Sequence, residues 1–274
     1  MKIVKDFNFK NKKAIIRVDF NVPLNADFEV TDATRIQAAK PTITEILAQG
    51  GSCVLMSHLG RPKGFQEAFS LQHIVKSIEA IMGCNVKFIE DCIGEKVEAA
   101  VANLQAGEIL LLENLRFYEE EKKGAVAFAE KLSKFGDIYV NDAFGTAHRA
   151  HASTTIIAQF FENNKCFGNL LAREIESIDK VLNNSEKPVL AILGGAKVSS
   201  KITVIENILD KVDHLIIGGG MSFTFIKAQG GKIGNSICED DKMELALDIL
   251  KQAKEKNVQI HIPVDVIAAD DFSN

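Results

Sequence analysis

The sequence predicts an α/β protein of two doubly wound parallel-sheet domains joined by a long helix. Three observations carry this. Short apolar runs alternate with amphipathic stretches almost throughout the chain; the runs are mostly continuous in Val, Ile and Leu; and one long helical pattern separates two groups of them. With 274 residues and 46% hydrophobic content, the chain has ample apolar surface for one large core or two smaller ones.

The apolar runs are "AIIRVDF", "SCVLMS", "NVKFI", "EILLLEN", "DIYVND", "VLAILGG", "HLIIGG" and "VQIHIP". Unbroken apolar runs of this length fit strands buried on both faces of a parallel sheet. Helical patterns lie between them. In "SLQHIVKSIEAIMG", residues Leu71, Ile74, Val75, Ile78, Ile81 and Met82 share one face, with Ser70 as N-cap and Gly83 as stop. "GEKVEAAVANL", "GAVAFAEKLSKF" and "EDDKMELALDILKQAKEK" repeat the pattern. The long linking helix is expected in "GNLLAREIESIDKVLNNSEKP", from Gly168 to Pro188, after five strand runs. The expected division is a first domain over 1–168, a helix over 169–187 and a second domain over 188–274.

Composition narrows the function classes. The formal net charge is -5 with both signs mixed, so neither a nucleic-acid coat nor a polybasic membrane patch is expected. The N-terminal stretch carries scattered Lys and no continuous apolar run, unlike a signal peptide. No run approaches the ~18 apolar residues of a membrane span. Five cysteines (Cys53, Cys84, Cys92, Cys166, Cys238) form no CxxC pair and read as reduced thiols of a cytoplasmic protein.

The charged residues that core packing does not need cluster at strand ends. The chain has six arginines. Arg61 follows a strand run in "SHLGRPKG", Arg116 another in "LLLENLRF", and Arg149 a third in "YVNDAFGTAHRAHAS". Arg35 follows the long loop after the first strand, in "TDATRI". Ligands of open α/β sheets bind at the carboxyl ends of strands. A planar guanidinium grips carboxylate or phosphate with two parallel hydrogen bonds. His58, His148 and His151 lie in the same loops. One such residue alone is more often a solvated loop charge; four arginines on one edge point to a small phosphate- or carboxylate-bearing ligand. In "RVDFNVP", Asp19 and Asn21 share one face of the expected strand. Asp19 either pairs locally with Arg17 or joins Asn21 in binding ligand hydroxyls.

The second group of runs ends in glycines, in "AILGGAKVSSK" and "LIIGGGMSFTF". Glycines bring backbone N–H groups close to a ligand, and a helix N-terminus favours phosphate. Lys197 and Lys201, four apart, are expected on one face of the helix that starts there. Neither GxxxxGK[ST] nor GxGxxG is present, and tight strand–helix turns explain these glycines equally well. The missing dinucleotide fingerprint also argues against a nucleotide-dependent oxidoreductase.

Together "RVDFNVP", "SHLGRPKG", "LENLRF", "NDAFGTAHRAHAS", "GGAKVSSK" and "IIGGGMSFTF" resemble the phosphoglycerate kinase family in order and spacing, over the whole chain. The resemblance implies two Rossmann-like domains and reversible phosphoryl transfer between ATP and 3-phosphoglycerate, giving ADP and 1,3-bisphosphoglycerate, in glycolysis. It implies substrate contacts from Asp19, Asn21, Arg35, His58, Arg61, Arg116, His148, Arg149 and His151. Arg35 would face the transferring phosphoryl group, and Lys197 would move in from the other domain on closure. Gly194, Gly195, Lys197, Lys201, Gly218 and Gly219 would bind the nucleotide, whose phosphates carry Mg2+. Ser200 stands where many members have Asp near the metal-nucleotide, so no metal ligand is assigned within the chain. Members continue beyond the equivalent of Asn274 with a late phosphate loop. The second domain is therefore expected to be incomplete, with an exposed sheet face and little or no kinase activity. The alternative is a non-catalytic 3-phosphoglycerate-binding fragment. A complete enzyme is expected to be monomeric.

Overall fold

The computed structural model describes residues 1–269. The chain divides into two compact units, Met1–Glu176 and a second starting at Ser177.

The first unit holds strands β1 (Lys13–Arg17), β2 (Ser52–Met56), β3 (Val86–Ile89), β4 (Ile109–Leu112), β5 (Ile138–Asn141) and β6 (Lys165–Phe167). They form one parallel sheet in the order β3-β4-β2-β1-β5-β6. Helices α1 (Thr34–Ala48), α2 (Val75–Met82), α3 (Glu95–Ala102), α4 (Glu119–Lys123) and α5 (Val126–Ser133) connect them. Ala14, Ile16 and Leu55 pack one sheet face on α1 and α2 through Ile36, Ile43 and Ile78. Ile15, Val54 and Leu110 pack the other on α3 and α5 through Val97, Phe128 and Leu132. Burial on both faces explains why these strands read as continuous apolar runs. The connections β1–β2 and β5–β6 leave in opposite directions along the sheet. The crevice at the carboxyl ends beside β1 is thus its switch point.

Helix α6 (Asn169–Asn183) runs across the boundary between the units. The second unit contains β7 (Leu190–Gly194), α7 (Ile202–Ile208), β8 (His214–Gly218), α8 (Met221–Ala228), α9 (Met243–Glu255) and β9 (Gln259–His261). Its strands form a parallel sheet in the order β7-β8-β9. Leu215 and Ile217 bury one sheet face against Ile205, Phe225 and Ile249 of the helices. On the other face Leu190 is 53% and Ile192 70% exposed.

Several local expectations change. The strand expected through "RVDFNVP" stops at Arg17. Beyond it Val18, Phe20 and Val22 stay buried while Asp19 and Asn21 do not, so the side-chain alternation outlasts the ladder. Arg35 follows the loop as expected but lies in the first turn of α1, a helix not anticipated, since Pro41 inside it obscures the pattern. Strand β6 has three residues, one of them Lys, and gave no apolar run. The helix pattern at 71–82 opens as a 3-10 turn, Leu71–Ile74, before α2; the expected cap Ser70 accepts from Gln72 N, and Gly83 ends α2 at φ 75°. After β9 the sequence also suggests a strand in "DVIAADD"; none forms over 265–269, and its last two residues lie outside the described ones.

Asp142, just after β5, ties α6 to the first unit. Its Oδ1 accepts from Leu170 N at 3.0 Å and Leu171 N at 3.1 Å, capping the helix. Its Oδ2 is buried without a partner. Burial pushes the carboxyl up to about 6, against the pull of the Thr42 side chain and of the two backbone N–H groups. A carboxyl whose value is raised in the fold binds its proton more tightly there than in the unfolded chain. Stability from this group is therefore lost as pH rises from about 4 to about 6. Asp142→Asn keeps an acceptor for the cap and removes the charge. Thermal unfolding should show the variant gaining on the wild type as pH rises across that window. A melting difference that stays constant with pH would show that ionised Asp142 costs the fold nothing.

Candidate functional site

The first unit gathers its strand ends into a cavity of about 230 Å³. Each wall segment is placed by its neighbours. After β1, Phe20 N donates to Ser57 Oγ at 2.8 Å, which fixes where Asp19 and Asn21 emerge. After β2, the backbone at Gly60 is gripped from both sides. Its N–H donates to Asn21 Oδ1 at 2.8 Å, and its carbonyl accepts from Arg116 Nη1 at 2.7 Å. Gly60 sits at φ +63°, and a Cβ there would lie 2.4 Å from the Phe69 ring, so only glycine fits. After β4, Asn114 anchors the same loop by donating to Leu59 O at 2.8 Å.

Arg35, Arg61, Arg116 and Arg149 line this cavity with Asp19, Asn21 and His58. Gly60, Gly145 and Thr146 complete the wall. Four guanidinium groups share the cavity with Asp19, whose Oδ2 is already paired with Arg35 Nη1 at 2.8 Å. Burial, then Arg17 and Arg149, hold the Arg116 guanidinium below its usual range. Such crowding of like charge is unfavourable until an anion enters. Since Asn21 Oδ1 is taken by Gly60, the amide left for a ligand is its NH2 donor. Arg61 and Arg149 are exposed at the rim.

A buried polar layer lies behind the wall. Arg17 and Glu121 are both fully buried. Arg17 Nε donates to Ser153 Oγ at 2.8 Å, and Ser153 Oγ donates to Glu121 Oε1 at 2.6 Å. The backbone N–H of Ser153 donates to Glu121 Oε2 at 3.0 Å. Arg17 Nη1 donates to Val18 O, and Nη2 lies 3.1 Å from His58 Nδ1. Burial, then Arg17, drives His58 down to about 2, so the ring is neutral.

Of the nine residues expected to contact substrate, seven line the cavity: Asp19, Asn21, Arg35, His58, Arg61, Arg116 and Arg149. His148 does not; its Nε2 accepts from Arg149 Nε at 3.2 Å. His151 is buried behind the wall, with Nδ1 3.8 Å from Glu121 Oε1 and no hydrogen-bond partner. The local pair Asp19–Arg17 does not form; Asp19 takes Arg35 instead. Sequence reasoning missed Gly60, Gly145 and Thr146, although all three fall inside motifs it had singled out. It also missed Arg17, Glu121 and Ser153. A charged residue inside an apolar strand run was the available signal for Arg17.

In the second unit, Gly194 and Gly218 are register partners at the carboxyl ends of β7 and β8. Gly219 follows at φ +68°, where a Cβ would come within 3.0 Å of the Gly195 backbone. Met221 N donates to Gly195 O at 2.8 Å, which locks the two glycine turns together. Lys197 and Lys201 do not share a helix face. Lys197 lies in the loop, and α7 begins only after Lys201, its N-cap residue. Lys201 nonetheless folds back over the turn, its Cε 3.9 Å from where a Cβ on Gly195 would sit. Among the described residues no three His, Cys, Asp or Glu come together to hold a metal ion.

The model of the family described as phosphoglycerate kinase matches residues 4–274. The chain is 50% identical to the phosphoglycerate kinase of Porphyromonas gingivalis, over 99% of this chain and 71% of that one. It is 48% identical to a cytosolic phosphoglycerate kinase of Nicotiana tabacum, over 98% and 67%. Among solved structures it is similar to the phosphoglycerate kinase of Coxiella burnetii, with a TM-score of 0.84 at 39% identity, covering 99% of this chain and 68% of the other. The enzyme of Pyrococcus horikoshii gives 0.83 at 30% identity, over 96% and 67%.

Glu121 answers the charge of Arg17 through Ser153, out of contact with water. Removing one partner of a buried charge arrangement leaves the other uncompensated, a loss of roughly 3 kcal/mol. Glu121→Gln is therefore expected to lower unfolding stability by that order in a denaturant titration. A change within experimental error would mean that Arg17 needs no buried counter-charge.

Proposed function

The chain belongs to the phosphoglycerate kinase family, and from that premise we propose that its first unit binds 3-phosphoglycerate in the arginine-lined cavity while its second takes the phosphates of Mg-ATP or Mg-ADP at the glycine strand ends. The reaction is reversible. A carboxylate oxygen of 3-phosphoglycerate attacks the γ-phosphorus, the bond to the β,γ-bridging oxygen breaks, and ADP and 1,3-bisphosphoglycerate result. One observation carries the reading: Arg35, Arg61, Arg116 and Arg149 converge with His58, Asp19 and Asn21 on one small cavity.

The roles follow from position. Arg61, Arg116 and Arg149 hold the phosphate of 3-phosphoglycerate, Asp19 accepts from its hydroxyl, and the Asn21 NH2 donates to one of its oxygens. Arg35 is 51% exposed, at the edge of the cavity, and is the guanidinium free to swing from Asp19 toward a transferring phosphoryl group. Such transfer needs positioning and positive charge rather than covalent help. An ionised carboxylate nucleophile needs no general base. In keeping with that, Asp19 is tied to Arg35 and His58 is a neutral ring. Gly194, Gly195, Gly218 and Gly219 let backbone N–H groups approach nucleotide phosphates, with Lys197 and Lys201 supplying charge. The donor set here does not fit a protein-held Mg2+: among the described residues no three His, Cys, Asp or Glu side chains come together to hold one. The ion belongs to the nucleotide substrate. The glycolytic role rests on the family, and a cytoplasmic setting on the free cysteines and the cytosolic relative of Nicotiana tabacum.

A second reading, binding of 3-phosphoglycerate without turnover, is favoured by the open apolar face beside Leu190 and Ile192. A coupled assay of this chain distinguishes the two. Calorimetry should show 3-phosphoglycerate binding without nucleotide, weakened at least about tenfold by Arg61→Ala or Arg149→Ala, since charge-assisted bonds contribute roughly 1.5–3 kcal/mol. Added salt should weaken it further. Unchanged affinity in both variants would remove the cavity as the substrate site. Where turnover is measured, Arg35→Ala should lower kcat by about 100-fold or more with little change in KM, as for a donor used mainly in the transition state. A raised KM with unchanged kcat would make Arg35 a ground-state ligand.

A further inference from the structure

Arg17 stands apart from the four guanidiniums of the cavity wall: it is fully buried beneath them and has no access to a ligand. A buried guanidinium is tolerated only when its donors are used and its charge is met. Its donors go to the Val18 carbonyl, to Ser153 Oγ at 2.8 Å and to His58 Nδ1 at 3.1 Å. Ser153 passes its own hydroxyl proton to Glu121 Oε1 at 2.6 Å, so its lone pairs face Arg17. The direction of every bond in this chain is thereby fixed.

The last bond fixes the histidine. A guanidinium has donors and no acceptor. The His58 Nδ1 must therefore accept, which leaves the single ring proton on Nε2. Asp19 Oδ1 is the rival partner for Nδ1, and it would require a proton there. It stands at 4.0 Å, beyond hydrogen-bond reach. Nε2 makes no hydrogen bond among the described residues, and His58 is part of the cavity wall.

We propose that the Glu121–Ser153–Arg17 chain holds His58 as the Nε2–H tautomer, so that Arg17 is a positioning residue that supplies the cavity with an uncharged donor for an anion's oxygen. The proposal takes only the identity of that anion from the phosphoglycerate reading; the tautomer stands without it. The surroundings of the ring act together. Burial, then Arg17 from β1, Arg116 after β4, Arg35 from α1 and His151 after β5, all disfavour a charged imidazole, and the carboxylate that faces Nδ1, Asp19, stands 4.0 Å away. A protonated His58 would add another cation to a wall already crowded with them. A neutral donor adds a hydrogen bond without adding repulsion, and it does not switch with pH near neutrality.

The test is nitrogen NMR of the full chain with 15N-labelled histidine, the His58 signals being assigned by their loss in His58→Asn. The wild type is expected to show an unprotonated Nδ1 and a protonated Nε2, with no titration from about pH 5 to pH 8. Arg17→Met removes the donor to Nδ1. Its His58 is expected to titrate or to populate the other tautomer, and its 3-phosphoglycerate affinity by calorimetry to fall about tenfold and become pH dependent. A protonated Nδ1 in the wild type, or titration at an ordinary midpoint, overturns the proposal even if Arg17→Met fails to fold. A folded Arg17→Met with His58 unchanged in tautomer and titration overturns it too. A wild type that keeps the Nε2–H tautomer but ignores 3-phosphoglycerate supports the relay and overturns the ligand reading alone.

Discussion

Crowded positive charge at one edge of the first sheet is the constraint on which the rest of that unit depends. Arg17, Arg35, Arg61, Arg116 and Arg149 all approach the carboxyl ends of β1, β2, β4 and β5. Each is handled differently. Arg17 is buried against hydroxyl, carbonyl and imidazole acceptors with Glu121 behind them. Arg116 is braced by the Gly60 carbonyl. Arg35 borrows Asp19. Arg61 and Arg149 stay at the solvent rim, where water screens them. The neutrality of His58 follows from the same crowding. Repulsion between these groups is the reason an anion is favoured in the cavity, so it has to be supported by a fold that does not yield to it.

The parallel sheet provides that support. Its strands β1, β2, β4 and β5 are buried on both faces, so the backbone positions at their carboxyl ends are held by two layers of packed side chains. The loops are then cross-linked to one another: Phe20 to Ser57, Gly60 to Asn21, Asn114 to Leu59 and Phe69. Each bond joins segments that follow different strands. A shift in any one loop would break a bond in another. This is how positions far apart in sequence hold a cavity of fixed shape without being helical or strand-like themselves.

Much of this was legible from residues alone, and the limits are physical. Continuous apolar runs disclosed eight of the nine strands among the described residues; β6 was too short and too polar to register. The arginines were visible because nothing in a core requires them. Their site was visible because α/β sheets put ligands at strand ends. The inner layer was hidden for a different reason. Arg17 lies in an apolar run, and Asp19, two residues on, offered a local partner; the true partners, Ser153 and His58, are 136 and 41 residues away. Sequence proximity favoured the wrong pair. Helix α1 was lost because Pro41 counts against a helix interior, although burial of Ile36, Ile43 and Ile46 on the sheet overrides that cost.

The two candidate sites also differ in what sequence can reveal about them. The first is made of side chains, so residue type and chemistry coincide, and substitution reads out each role. The second is made mostly of backbone. Its shape depends on the register of Gly194 with Gly218, on the positive φ of Gly219 and on the bond from Met221 N to Gly195 O. None of these is a property of a residue type; they follow from how β7 and β8 pair and how α8 starts. That is why the glycines kept two readings of equal weight while the four arginines, taken together, favoured one. It is also why the lysines were misplaced. Lys197 and Lys201 look like helix neighbours by spacing, but the loop spends four residues, 197–200, before α7 begins after Lys201. The consequence is chemical. Lys201 is held against the glycine turn by the helix it caps, whereas Lys197 is carried by an irregular segment. The two cations therefore differ in how firmly the fold positions them.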